Sequence, residues 1–224
     1  MTIQSINKLS SNTDGFLLIV EGGRIDHAHH KNNAKKAMIE TVELERAVIE
    51  ALKMVNTEET LVIVTADHSH AVTINGYPDR GNSILGTWMD EKWKYFVSLN
   101  RTHPQPSPMT TIAYTNGPGF SYHYNTSTGF WRDLASVDTA NDDFQQMATF
   151  YLNDETHGGE DVPLYAVGPQ AHLLSGVHEQ NYIAHVVKYA ACLQPGTCPL
   201  SSSATLVMST LVTISVSFFT LFCI

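Results

Sequence analysis

Short apolar runs alternate with a long amphipathic stretch in the first third of the chain, a pattern typical of an α/β protein. Residues 15–21 and 60–66 are apolar runs of strand length, which predict two buried strands. Between them, residues 26–55 carry apolar side chains at roughly helical spacing, which predicts one long helix. Residues 1–11 predict a further helix. The strand–helix–strand order predicts parallel strands joined by a right-handed crossover.

The middle of the chain has a different composition, rich in Gly, Pro, Asn and aromatic residues. Within residues 76–150, only 95–99 and 110–114 have the pattern of short strands. We therefore expect an insertion made mostly of strands and loops. The pattern of the first third returns with a predicted strand at 162–167 and a closing helix at 178–192.

Acidic and histidine side chains follow each of the first two predicted strands. Asp26 and His30 are four residues apart, so they share one face of the predicted helix. Asp67 and His68 follow the second strand directly, at the edge where ligands of open α/β sheets gather. A lone Asp–His pair is more often a surface hydrogen bond. Two such pairs, with Glu21 beside the first, predict a metal site with ligands that zinc accepts.

The composition narrows the function further. The formal net charge is −9, which argues against nucleic acid as a partner because phosphate binding requires Lys and Arg. Hydrophobic residues make up 43% of the chain, enough for a core in a domain of this length. The chain has 11 histidines, nearly as many as its 13 Lys and Arg together. Histidines distributed at random would not be expected to cluster at 27–30 and 68–70, so these clusters favour a metal site.

Five motifs in a fixed order carry a family resemblance. They are VEGGRIDH at 20–27, TADHSH at 65–70, NGPG at 116–119, DETHGGEDV at 154–162 and GPQAHL at 168–173. Together they resemble the animal alkaline phosphatases, from residue 1 to about residue 200. The resemblance implies part of a three-layer α/β/α sheet. Residues 1–75 would form its core, 76–153 a crown insertion that builds a homodimer surface, 154–200 the return to the core, and 201–224 a separate anchor signal.

The resemblance also implies two zinc ions and one magnesium ion. By matching motif positions, Asp26, His30 and His157 would hold one zinc, Asp67 and His68 the second, and Glu21 the magnesium, which prefers carboxylate and water. His27 and His70 stand near ligands in the sequence and are expected to orient metal or substrate. His29 is expected to be a plain surface residue.

The activity implied by the resemblance is hydrolysis of phosphate monoesters through a phosphoserine intermediate. No stretch of the chain matches the family's nucleophile motif, its phosphate-gripping arginine or its further aspartate ligand. We therefore expect weak zinc binding and no turnover by this chain alone. The alternative is a non-catalytic, truncated metal-binding or cell-surface protein. Sulfatases and nucleotide pyrophosphatases share Asp–His zinc ends, but residues 21–24 and the C-terminal tail argue against them.

The C-terminal tail resembles a glycolipid-anchor signal. No charged residue follows Lys188, and small residues precede the apolar run 206–224. The candidate attachment residues are Ser201, Ser202 and Ser203. A transmembrane helix is the competing interpretation, but no Lys or Arg follows the run to hold a cytoplasmic end. The residues that follow Met1 do not have the pattern of a signal peptide. We therefore expect the chain to be the C-terminal half of a longer protein or an incomplete gene model.

Other features favour an oxidising compartment at the cell surface. Cys192 and Cys198 flank a turn-rich loop, and a disulfide between them is expected, with two free thiols as the alternative. Asn100 and Asn125 begin glycosylation sequons. Together with the tail, these features predict a glycoprotein of the plasma membrane.

Overall fold

The computed structural model describes residues 1–88 and 108–193 and the backbone of 220–223. The chain divides into two compact units, whose segments alternate along the sequence. The first unit comprises Met1–Gly23, Thr41–Asp67 and Asp161–Ile224. The second comprises Arg24–Glu40 and His68–Glu160. Helix α3, Ala34–Met54, gives its first residues to the second unit and the rest to the first.

The first unit is built on a four-stranded sheet. Its strands are β1 (Leu18–Glu21), β2 (Val62–Thr65), β12 (Leu164–Val167) and β13 (Thr220–Cys223), in the order β1-β13-β2-β12. β13 pairs antiparallel with both β1 and β2, so β1 and β2 run parallel to each other, as the sequence predicts. β12 is antiparallel to β2.

Helices cover both faces of β2. Successive strand residues point to opposite sides of the sheet, so neighbouring residues of β2 contact different helices. Val62 packs with Ile6 of α1 (Thr2–Leu9) and with Ala51 of α3. Ile63, the next residue, packs instead with Val186 of α5 (Tyr182–Ala190) and Leu174 of the 3₁₀ helix Ala171–Leu174. Val62 and Ile63 are almost fully buried. The α/β class is therefore confirmed.

The second unit is rich in short strands and loops. A sheet of β10 (Met147–Tyr151), β7 (Ile112–Gly117) and β4 (Val72–Ile74) has β7 at its centre, parallel to β10 and antiparallel to β4. The helix α4 (Gly119–His123) follows β7. Three two-stranded pairs join β5 (Thr87–Trp88) to β6 (Met109–Thr110), β8 (Tyr124–Asn125) to β9 (Phe130–Trp131), and β3 (Ser69–His70) to β11 (His157–Gly158).

The predicted helix over 26–55 is wrong, because the structure has two helices there. Helix α2, Arg24–His30, ends before α3 begins at Ala34. Asn32 between them has a φ of 53°, in the left-handed region. It is fully buried, and its side chain accepts a hydrogen bond from the Gly119 amide at 2.8 Å and donates one to the Asn116 carbonyl at 3.1 Å. These contacts interrupt the helix at a point where helical spacing predicts continuation.

Other predicted elements are confirmed with shorter bounds. The structure gives Thr2–Leu9 for the predicted helix 1–11 and Tyr182–Ala190 for the predicted helix 178–192. The single strand predicted at 110–114 is divided between β6 and β7. Within the described ranges, no helix combines the length and apolar character needed to cross a membrane. The predictions for 95–99, Asn100, Cys198 and Ser201 to Ser203 lie outside the described residues.

Candidate metal centre

Three short elements of the second unit bring one carboxylate and four imidazoles together. Helix α2 places Asp26 and His30 on one face through their four-residue spacing. β3 and β11 then pair in antiparallel register, with His157 opposite His70. His68 directly precedes β3. The elements carrying these side chains are far apart in the sequence, and the strand pairing brings two of them together.

The Asp26 carboxylate is the centre of the cluster. Its side chain is only 3% exposed. Its Oδ1 lies 3.0 Å from His70 Nε2, 3.1 Å from His30 Nε2, 3.4 Å from His157 Nε2 and 4.0 Å from His68 Nε2. In spite of these short distances, the buried Asp26 Oδ1 has no partner with hydrogen-bond geometry among the described residues. The imidazole nitrogens thus converge on this oxygen without being aligned to donate to it.

The opposite ring nitrogens explain this convergence. His30 Nδ1 lies 2.5 Å from the Glu155 carbonyl oxygen, and His68 Nδ1 lies 2.9 Å from the Ser69 carbonyl oxygen. A carbonyl oxygen can only accept, so both Nδ1 atoms carry the proton. In a neutral ring the Nε2 atom then holds a lone pair. Several lone pairs facing one carboxylate oxygen repel one another unless a cation lies among them.

The spacing of three of these atoms matches zinc coordination. Asp26 Oδ1, His30 Nε2 and His157 Nε2 are separated by 3.1, 3.4 and 3.2 Å. Ligands held tetrahedrally at ordinary zinc distances are about 3.4 Å apart. The donor set of one carboxylate and two imidazoles is also one that zinc accepts. The residues present therefore fit the predicted ion.

Packing against the neighbouring imidazoles favours the neutral form of His157. The ring of His157 stacks on that of His68, with centroids 3.5 Å apart. Burial, followed by the nearby His68, His30 and His70 rings, lowers the pKa of His157 below its ordinary value. A neutral imidazole keeps its lone pair for a metal.

Glu155 is a site residue that the sequence reasoning missed. It is 1% exposed, and its Oε1 accepts a hydrogen bond from the Ala71 amide at 2.6 Å. Its Oε2 lies 2.6 Å from His70 Nδ1. The residue stands two positions before His157 in a motif that the sequence analysis had singled out. Its burial, the feature that marks it out, is not visible in the sequence.

His29 is not the plain surface residue that the sequence predicts. Its Nδ1 lies 2.9 Å from the Tyr114 hydroxyl, and its ring stacks on His70 with centroids 4.6 Å apart. Burial, then the neighbouring His70, lowers the pKa of His29 to about 4. The residue thus packs directly behind the cluster. His27, in contrast, is exposed on α2, and its expected role in orienting metal or substrate stays a prediction.

The remaining predicted ligands belong to the first unit. Glu21 is the last residue of β1, and its Oε1 is buried. Asp67 follows β2, is exposed, and its carbonyl oxygen accepts a hydrogen bond from the Gln180 side chain at 3.0 Å. Glu21 ends its strand and Asp67 lies just past the end of β2, as predicted. Their assignment to the second zinc and to magnesium stays a prediction.

Comparisons with known proteins agree with this chemistry. A family model described as alkaline phosphatase matches residues 1–193. The chain is 45% identical over 206 residues to the tissue-nonspecific isozyme of alkaline phosphatase from Homo sapiens, covering 91% of this chain and 37% of that protein. It is 46% identical over 189 residues to an alkaline phosphatase from Gadus morhua, covering 84% and 37% of the two proteins. It is 42% identical over 205 residues to alkaline phosphatase 4 from Drosophila melanogaster, covering 87% and 32%. The chain thus spans about a third of the length of these curated relatives.

Proposed function

Because the chain belongs to the alkaline phosphatase family, we propose that it is the metal-binding portion of an enzyme that hydrolyses phosphate monoesters. The observation that carries the proposal is the convergence of imidazole nitrogens on the buried Asp26 Oδ1. A group of acceptors this close is costly to bury without a cation. The family supplies the reaction class, and the cluster supplies the reason why this part of the enzyme is needed for it.

In the proposed enzyme, Asp26, His30 and His157 hold one zinc ion. Asp67 and His68 hold the second zinc, and Glu21 holds magnesium. When bound, paired metal ions polarise a phosphoryl oxygen and stabilise the charge on attacking and leaving oxygens. The chain's own contribution is to place these side chains and, at His157, to favour the deprotonated ring. The lowered pKa of His157, caused first by burial, favours that state.

The proposed setting is the cell surface. The exposed sequon residue Asn125 lies in β8, where an oligosaccharide could be attached without displacing packed side chains. Cys192 is half-buried, and its proposed disulfide partner is Cys198. Attachment through a glycolipid near Ser201 to Ser203 and formation of a homodimer complete the proposal.

Zinc binding by the 224-residue chain tests the metal site. We expect the chain to compete with a chromophoric chelator for zinc, and Asp26→Ala to lose most of that affinity because the central oxygen is removed. His185→Ala is the matched control, since His185 is an exposed histidine of the first unit. Equal affinity in the parent and Asp26→Ala would contradict the proposed site.

Hydrolysis of p-nitrophenyl phosphate at alkaline pH tests the reaction. We expect turnover by the longer protein that contains this chain, with loss of activity on chelation and in His157→Ala. We expect none from the 224-residue chain, because it matches no nucleophile motif of the family. Zinc binding without turnover in the longer protein would instead favour a non-catalytic metal-binding protein.

A further inference from the structure

Glu155 contacts two imidazoles of the cluster in two different ways. Its main-chain oxygen lies 2.5 Å from His30 Nδ1, and its side-chain Oε2 lies 2.6 Å from His70 Nδ1. Both rings present their Nε2 atoms to Asp26 Oδ1, at 3.1 Å for His30 and 3.0 Å for His70. A single residue therefore stands behind both imidazoles, on the side opposite the proposed metal.

We propose that Glu155 is a positioning residue that fixes the tautomer and the orientation of His70, and with its main chain those of His30, for metal binding. The inference rests on the proposed metal site. An ionised carboxylate only accepts hydrogen bonds, so His70 must donate from Nδ1 and direct Nε2 towards Asp26. Outer carboxylates that orient imidazoles at a metal site raise metal affinity.

The carboxylate is itself held firmly. Its Oε1 accepts from the Ala71 amide at 2.6 Å, and the Glu155 amide donates to the His30 carbonyl at 2.9 Å. The side chain has 0% exposure, so water does not compete for these bonds. Each oxygen of the carboxylate thus accepts from one N–H donor. Exchange of either oxygen for an NH₂ group would place that group opposite the N–H donor, with no acceptor between them.

The substitution Glu155→Gln tests the requirement for two accepting oxygens. The glutamine amide can accept from Ala71 or from His70, but its single oxygen cannot accept from both in the same geometry. We expect the oxygen to keep the Ala71 amide, and His70 to accept from the NH₂ group with a proton moved to Nε2. An Nε2–H group at this position faces Asp26 Oδ1 at 3.0 Å and competes with the proposed zinc for the electron density of that oxygen. Zinc affinity should fall by about 10–100-fold.

Nitrogen-15 NMR of the histidine rings at alkaline pH reads the tautomers directly. In the parent chain, with and without zinc, we expect the proton of His70 on Nδ1. In Glu155→Gln we expect it on Nε2, while His30 keeps its Nδ1 proton because its partner is the main-chain oxygen. Loss of general packing would move both rings or neither, so this difference separates positioning from a structural role.

Glu160→Gln is the control with the same chemical change in the same motif. Glu160 is exposed, and its substitution should leave the His70 tautomer and zinc affinity unchanged. The proposal is overturned if His70 in the parent chain carries its proton on Nε2, a result that needs no variant. It is also overturned if Glu155→Gln binds zinc within twofold of the parent. A parent chain that binds no zinc but shows the expected tautomers would contradict the proposed function and leave the positioning by Glu155 intact.

Discussion

The ring of His29 stacks on the ring of His70, with centroids 4.6 Å apart and planes 28° from parallel. The two residues lie in different elements, α2 and β3, so their contact ties the helix that carries Asp26 to the strand that carries His70. The same His29 ring hydrogen-bonds the buried hydroxyl of Tyr114. His29 therefore helps to hold the cluster together without facing Asp26 closely.

Substitution of His29 should weaken the site. His29→Ala leaves the Tyr114 hydroxyl without its ring partner and removes the surface on which His70 rests, at a cost of about 1–3 kcal/mol in the free energy of unfolding. We expect several-fold weaker zinc binding, a smaller loss than for His30→Ala. His185→Ala, which changes an exposed histidine of the first unit, is the control. Unchanged zinc affinity and stability in His29→Ala would show that the stacking is incidental.

Asn32 should be among the residues that contribute most to stability in the second unit. Asn32→Ala keeps a φ of 53° without the short polar side chain that lets asparagine adopt this region, at a cost of about 1–2 kcal/mol, and it leaves the buried Gly119 amide without an acceptor, for about 1–3 kcal/mol more. Asn32→Gly has only the second of these costs, because glycine tolerates positive φ. Urea denaturation should therefore rank the parent above Asn32→Gly, and Asn32→Gly above Asn32→Ala. An order with alanine above glycine would exclude the conformational explanation.

Acid should destabilise the protein through His123. Its ring is buried and its Nε2 lies 2.6 Å from the Gln145 carbonyl oxygen. Burial, with the Arg132 charge as a further cause, lowers the pKa of His123 from 6.5 to about 4. Between these pH values the unfolded chain binds the additional proton, so stability is fully present above pH 6.5 and falls as the pH approaches 4. The loss is on the order of 3 kcal/mol.

Denaturation by urea with a chelator present, at several pH values across that window, measures this effect. His123→Gln should have a flatter dependence of unfolding free energy on pH than the parent. His185→Gln, which changes an exposed histidine, should retain the slope of the parent. If His123→Gln keeps the full slope, the acid sensitivity comes from other groups.

The proposed anchor predicts release of the protein from cells by phosphatidylinositol-specific phospholipase C. The reason is that the uncharged tail after Lys188, with the small residues at 201–204 and an apolar end, suits exchange for a glycolipid. The last peptide of the released protein should end near Ser201 to Ser203. Retention on the membrane, with peptides covering 206–224 in the mature protein, would indicate a transmembrane helix instead.

The sequence by itself determined the features that depend on neighbours along the chain. Alternation and apolar runs located β1, β2, β12, α1 and α5, because strand and helix periods are local properties. The four-residue spacing of Asp26 and His30 placed both on one face of α2 for the same reason. The motifs were sufficient to indicate the family and to predict that His157 lies with Asp26 and His30, as the structure has it.

Only the tertiary structure decided the features that depend on contacts between distant residues. Asn32 ends α2 because Asn116 and Gly119 offer it partners more than 80 positions away, and no local pattern encodes that competition. Glu155 and His29 belong to the site because folding buries them against His70. Burial is what makes a carboxylate or an imidazole dependent on its partners, since a buried polar group cannot exchange them for water.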